Sequence, residues 1–213
     1  MDPLAKKVLD YWFGRGWDTA PPTDVRESEA KKWFFGGEAT DIEIKEQFTE
    51  ACESLLKGDL DAWQQPDSSA NEALAGIIIG DQFFRNVYRG TGAMFASDSK
   101  VLPWTKQLVQ SGRWLELKPI QQSFVVLPYM HSEKLEDQQE CVRLCGEIEK
   151  IGESLGEGGA GVVKMAANQK VFAQKHLDLI AHWGRFPHRN ALLGRENTPE
   201  EAKGLEDGSI ARF

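Results

Sequence analysis

Residues 73–79 of this chain, Ala-Leu-Ala-Gly-Ile-Ile-Ile, are apolar on every side, and a helix-opening signal stands just before them. In Ser69-Ala70-Asn71-Glu72 the serine hydroxyl can accept from the amide three residues on while Glu72 reaches back to the serine amide. Three β-branched residues in a row would suit a strand. The cap, and the continuation of the apolar pattern through Phe84 and Val87, favour a helix over about 70–88. A helix with no polar face has to be covered all round, so the rest of the chain must supply elements that wrap it.

Those elements read as helices. No Asn-Gly or Asp-Gly turn lies between alternating apolar residues, and Asp207-Gly208 falls in the C-terminal tail. A first helix runs from Pro3 to Phe13 with Leu4, Val8, Leu9 and Trp12 on one face, and stops at Gly14. Residues 17–24, holding Ala-Pro-Pro-Thr, form a loop. A short helix then ends at Phe35, closed by Gly36-Gly37. Thr40-Asp41-Ile42-Glu43 repeats the capping pattern and opens a helix that runs to Lys57 and stops at Gly58. Asp98 is expected to cap a helix ending near Gly112, with an irregular start or kink at Pro103. Another helix covers about 119–127 and breaks at Pro128. A long one starts at Ser132 as N-cap and continues to about 154. The glycine-rich stretch 156–161 reads as a flexible linker, because it lacks the Gly-Lys-Ser/Thr of a phosphate loop. A helix over about 162–183 follows, and Thr198-Pro199-Glu200-Glu201 opens a short last one. The expected fold is all-α, an antiparallel multi-helix array around one core, in a single domain over 1–213.

Charge and cysteine content narrow the function. A net charge of −8 argues against general nucleic-acid binding and against docking on an anionic membrane. No signal peptide or apolar run of about 18 residues is present, so the cytosol is the expected compartment. Cys141 and Cys145 share a helix face as small core residues, with no CxxC to suggest a redox or metal pair. No dinucleotide fingerprint appears, and no cofactor is expected.

Three polar clusters need explaining. The first continues the apolar helix: Asp81, Arg85, Tyr88 and Arg89 recur along one side, with Asn86 between them. A charge half-buried there must be paired. Asp81 with Arg85 satisfies one pair and leaves Arg89 in need of an acceptor from elsewhere. The second is Tyr129-Met130-His131-Ser132-Glu133, at a junction between helices. The third is Gly184-Arg185-Phe186-Pro187-His188-Arg189-Asn190, continuing to Arg195. Half of the arginines in an acidic chain fall in the first and third clusters.

Three explanations are open. The arginines can staple helices to carboxylates such as Asp81 and Glu133, or to helix carbonyls. The clusters can instead converge on a cleft for a small carboxylate- or phosphate-bearing molecule. There Arg85, Asn86, Arg89, Arg185, Arg189 and Asn190 would hold the ligand, His131 or His188 would move a proton, and Asp81 or Glu133 would orient the histidine. A metal site on His131, Glu133 and His188 or His176 is the third, opposed by the surrounding arginines and by the absence of HExxH. Ser132 beside His131 has no G-x-S-x-G elbow, so its capping role is sufficient.

The runs Asp81-Gln82-Phe83, Arg85-Asn86, Tyr88-Arg89-Gly90-Thr91, Phe95-Ala96 with Asp98, His131-Ser132-Glu133 with Gln138, and Gly184 to Asn190 with Leu193-Gly194-Arg195 resemble the family called domain of unknown function 924. Val8 to Gly14 and Trp33-Phe34 fit as well, so the resemblance spans nearly the whole chain. Phe84 and Trp183 depart from it, standing where Pro and Phe are common. The resemblance implies an all-helical fold similar to tetratricopeptide-repeat superhelices and no particular activity. On that fold, the rival to an anion-binding cleft is an interaction module whose groove takes a partner peptide.

Overall fold

A computed structural model describes residues 1–212, and every regular element in that range is helical. In chain order these are α1 (Pro3–Phe13), α2 (Ala30–Phe35), α3 (Gly37–Lys57), α4 (Ala70–Ile77), α5 (Phe84–Val87), α6 (Asp98–Gln110), α7 (Pro119–Val125), α8 (Leu127–Met130), α9 (Leu135–Ser154), α10 (Ala160–Trp183) and α11 (Pro199–Asp207).

The apolar segment is central, as its composition requires. Leu74, Ile77, Ile78, Ile79, Phe83 and Phe84 are all fully buried. The Ser69 capping box forms in both directions, and Glu72 also accepts from the Asp2 amide at 2.7 Å, tying α4 to α1. Between α4 and α5 the backbone takes π-helical turns over Ile78–Phe83, a departure from the continuous α-helix that was expected. Close approach of α6 accompanies it. A Cβ at Gly76 would stand 2.3 Å from the Trp104 ring, and one at Gly80 would stand 2.2 Å from Val101 Cγ1. Ser97 Oγ donates to the Gly80 carbonyl at 2.5 Å.

Edge-to-face aromatic contacts fill the space around this axis. Trp12, Phe13, Trp33 and Phe124 interlock with centroid separations of 5.0–6.3 Å, and Phe83 joins Trp12 to Phe48. Cys141 and Cys145 are buried and unbridged in the same core. A second, smaller cluster of Leu179, Ile180, Phe186 and Ile210 lies under the C-terminal segment. No helix among the described residues is long and apolar enough to cross a membrane.

Several expected boundaries move. Helix α3 begins at Gly37, so Thr40 lies inside it and caps nothing. The Glu43 carboxylate instead accepts from the Tyr11 hydroxyl at 2.9 Å. Asp98 is the first residue of α6 rather than its cap, with its carboxylate committed elsewhere, and α6 runs through Pro103. The break near Pro128 falls at Val126 instead, with Pro128 near the start of α8, where its missing N–H costs nothing. Ser132 is not an N-cap. Helix α9 starts three residues later, and the Ser132 hydroxyl bridges the Lys134 amide and the Asp137 carboxylate. The stretch 156–161 is no linker. It tightens into a 3-10 turn over Gly156–Gly159 that folds α10 back along α9. A Cβ at Gly159 would lie 1.9 Å from the Gly152 carbonyl oxygen, so the hairpin closes only with glycine there.

Candidate functional site

The π-helical turns set the position of Asp81. A single-turn change of register inside an α-helix re-aims side chains and recurs at functional sites. Asp81 is 1% exposed and points to the α8–α9 junction, where its Oδ1 meets His131 Nδ1 at 2.7 Å. Its Oδ2 accepts from Gln82 Nε2 at 2.6 Å. Arg85 lies 3.7 Å from Asp81, but its main partner is Asp98, reached by Nη1 at 3.0 Å and Nη2 at 3.3 Å. The pairing expected from helical spacing is therefore secondary to a bidentate one across to α6.

Asp81, Asp98, His131, Glu133 and Arg189 line one cleft of about 390 Å³, together with Phe95, Leu102, Pro128 and Leu193. Arg189 comes from the short 3-10 turn Pro187–Arg189 in the C-terminal segment and is 7% exposed. Its guanidinium carbon lies 4.2 Å from the Phe186 ring centroid and 4.8 Å from that of Phe95. Nη1 donates to the His131 carbonyl at 3.0 Å and stands 3.8 Å from Asp98. The buried Nε finds no acceptor among the described residues.

Burial pushes the His131 pKa down, and Arg85 and Arg189 add to this against the pull of Asp81. The net shift is downward, so His131 is neutral at pH 7. The Asp81 carboxyl is held down at about 2: burial opposes ionisation, but protonated His131 and Arg85 outweigh it in the acid range. An ionised Asp81 accepts the hydrogen bond, which places the ring proton on His131 Nδ1 and the free electron pair on Nε2. Burial, then the nearby Arg85, lowers Arg189 to about 10, which leaves it a cation at neutral pH.

The other candidates go elsewhere. Arg85 backs the cleft by holding Asp98 and does not line it. Arg89 and Asn86 both bind Asp41, Asn86 at 2.7 Å, beside a separate hollow walled by Trp33, Phe34 and Phe35. Arg185 is clamped to Glu201 at 2.7 and 2.6 Å. Asn190 is buried between Asn197, Glu201 and Arg195. His188 packs on Phe186, outside the cleft lining, and burial followed by Arg189 lowers its pKa to about 4. Glu133 lines the cleft with both oxygens engaged by Arg195, at 2.6 and 2.9 Å, and one also by the Phe186 amide. It does not contact His131 as an orienting group would; Asp81 does. Four arginines thus meet the carboxylate partners that staples require. Asp98, Phe95 and Phe186 belong to the site although the sequence reading gave them no role in it. The Phe95-Ala96 and Asp98 motif was the signal available. No group of three metal-ligating side chains is assembled among the described residues.

A family model described as "Bacterial protein of unknown function (DUF924)" matches residues 8–209. A solved structure of a protein of unknown function from Agrobacterium tumefaciens, ATU0120, is 30% identical, with 96% of this chain and 98% of that chain covered and a TM-score of 0.71. No curated protein matches the sequence.

Proposed function

We propose, for a chain that belongs to the DUF924 family of bacterial proteins of unknown function, that the cleft beside Asp81 and His131 binds a small anionic ligand and that His131 exchanges a proton with it. Arg189 carries this reading. A guanidinium offers five N–H donors in a planar fork, and this one, nearly buried at the cleft wall, makes a single hydrogen bond among the described residues, to a main-chain oxygen. A buried charge with unspent donors destabilises a fold unless a partner arrives. A carboxylate or phosphate group on a ligand is that partner. His131 supplies the acid/base group: Asp81 fixes its tautomer, and its neutral Nε2 can accept a proton near pH 7.

The alternative, a peptide-binding helical module with purely structural arginines, draws support from Arg85, Arg89, Arg185 and Arg195, which all face carboxylates. It gives no role to the spare Nε donor of Arg189.

Substituting Arg189→Met separates the two. The methionine retains bulk between Phe95 and Phe186 and removes the under-bonded charge. The variant is expected to be at least as stable as wild type in urea, since Asp98 keeps its bidentate partner Arg85 and loss of an under-bonded buried charge relieves its desolvation cost. Wild type should also gain thermal stability with one or more of phosphate, acetate and phenylacetate at low chloride, through binding to the folded state, and the variant should not. A loss above about 2 kcal/mol in the variant, or anion responses identical in the two proteins, would refute the proposal.

A further inference from the structure

Resting on that reading, we infer that the ligand is a monocarboxylate of about ten non-hydrogen atoms with an apolar body. Charge count comes first. Three carboxylates border the cleft, and each is already engaged: Asp98 by Arg85, Glu133 by Arg195, and Asp81 by His131. Of the cations on the cleft lining, Lys134 is at the exposed rim, where water weakens its pull. Arg189 is the buried one, and Asp98 is already 3.8 Å from it. A phosphate dianion docked on Arg189 would bring two charges close to Asp98 and Asp81 with one cation to offset them. Like charges at that range in a partly buried site repel one another. With His131 neutral, Arg189 already offsets Asp81, so a single negative charge leaves the cleft one charge in excess, cancelled when His131 takes up a proton, whereas a dianion leaves two.

Geometry and size agree with this. The Phe95 and Phe186 rings exclude water from Arg189, and Nε is among its unspent donors. A guanidinium fork matches a planar carboxylate through two parallel hydrogen bonds. Phe95, Leu102, Pro128 and Leu193 supply most of the remaining wall, beside the hydroxyls of Ser99 and Ser132, of which Ser132 is already bonded to Asp137, so a ligand's body meets mainly carbon. A volume of about 390 Å³ is roughly thirteen times the ~30 Å³ share of a liquid water molecule, enough for a short aliphatic chain or one aromatic ring beyond the carboxylate.

Calorimetric titration of the intact protein at pH 7.5 and low salt with phenylacetate, phenyl phosphate, phenylacetamide and acetate tests this. Phenylacetate should bind about 10-fold or more tightly than acetate, which lacks the apolar body, and than phenylacetamide, which lacks the charge. It should also bind more tightly than phenyl phosphate. Leu193→Asn, at a position already 40% exposed, should weaken phenylacetate roughly 3- to 10-fold and leave acetate unchanged. Phenyl phosphate binding as tightly as phenylacetate would overturn the monocarboxylate assignment while sparing the anion reading. Equal binding of phenylacetamide, or an unchanged phenylacetate affinity in Leu193→Asn, would overturn the assignment too. If none of the three anions binds in an Arg189-dependent way, both the assignment and the underlying reading fall.

Discussion

Cutting Arg85 back to alanine is expected to cost about 3–5 kcal/mol, a drop of roughly 10 °C in melting temperature for a chain of this size. Among the described residues Arg85 is the one cation that contacts both Asp81 and Asp98, and it also donates to the Met94 carbonyl at 3.3 Å. Its removal leaves Asp98, in a partly buried wall, with the longer 3.8 Å contact to Arg189 in place of a bidentate pair, and takes a neighbouring positive charge from Asp81. The comparison variant is Arg89→Ala, four residues on. Arg89 is also bidentate to a carboxylate, Asp41, but its side chain is 56% exposed. Water screens that pair, so its loss should cost about 1 kcal/mol or less. Urea midpoints of the two variants measure the difference. Equal losses would mean that burial does not set the strength of these pairs, and the division into buried and surface staples would be wrong.

Acid should unfold this protein well above the pH at which its carboxylates titrate. His176 and His188 are both held near 4, in each case first by burial, with neighbouring cationic groups adding to it. His131 is shifted in the same direction. The unfolded chain takes up protons on these rings near pH 6.5 and the folded chain does not, so the unfolded state binds more protons below that pH. Stability is full above about 6.5 and falls as pH drops toward 4, by about 1.4 kcal/mol per pH unit for each ring. Two rings over that window amount to several kcal/mol. Asp81 has the depressed folded pKa typical of a paired carboxylate. Its contribution is present above its unfolded value near 4 and is lost only as pH falls through about 2, so it does not produce the earlier loss. Equilibrium unfolding between pH 7.5 and 4.5 reads the slope, and His176→Asn, neutral throughout, should remove roughly a third to a half of it. A wild-type stability independent of pH over this range would contradict the assigned burial of these histidines.

Local signals were legible wherever the chain's own neighbours decide the outcome. The Ser69 and Thr198 boxes form as their sequences imply, and in both the glutamate reaches back while also holding a tertiary partner. The Thr40 box has the same spelling and does not form. There the helix is already running from Gly37, Tyr11 takes Glu43, and Arg89 and Asn86 take Asp41. Tertiary partners outweigh a cap contributing about 1 kcal/mol. The π-helical turns at Ile78–Phe83 have no mark of their own in the sequence, because Gly80, Ser97, Val101 and Leu55 set them through contacts between helices.

For the site, spacing alone could bring charged residues together but could not assign partners. Asp81 and Arg85, four apart, read as a pair, yet their closest polar contacts across the fold are with His131, 50 residues from Asp81, and Asp98, 13 residues from Arg85. Nothing local ranks Arg189 above Arg185. The difference is that Glu201, the N3 residue of a capping box, is in reach of one, while Phe95 and Phe186 surround the other.

Arg189 is where the account is most exposed to test. Its Nε–H is an individual resonance in a side-chain ¹⁵N NMR spectrum, assignable by its loss in Arg189→Met. On titration with phenylacetate this signal should move, with the ring of His131 responding and the Arg85 and Arg195 signals staying in place. A cleft that filled while the Arg189 signal stood still, or an anion that shifted the signals of Arg85 or Arg195 instead, would contradict the claim that a buried guanidinium with spare donors is the ligand's anchor.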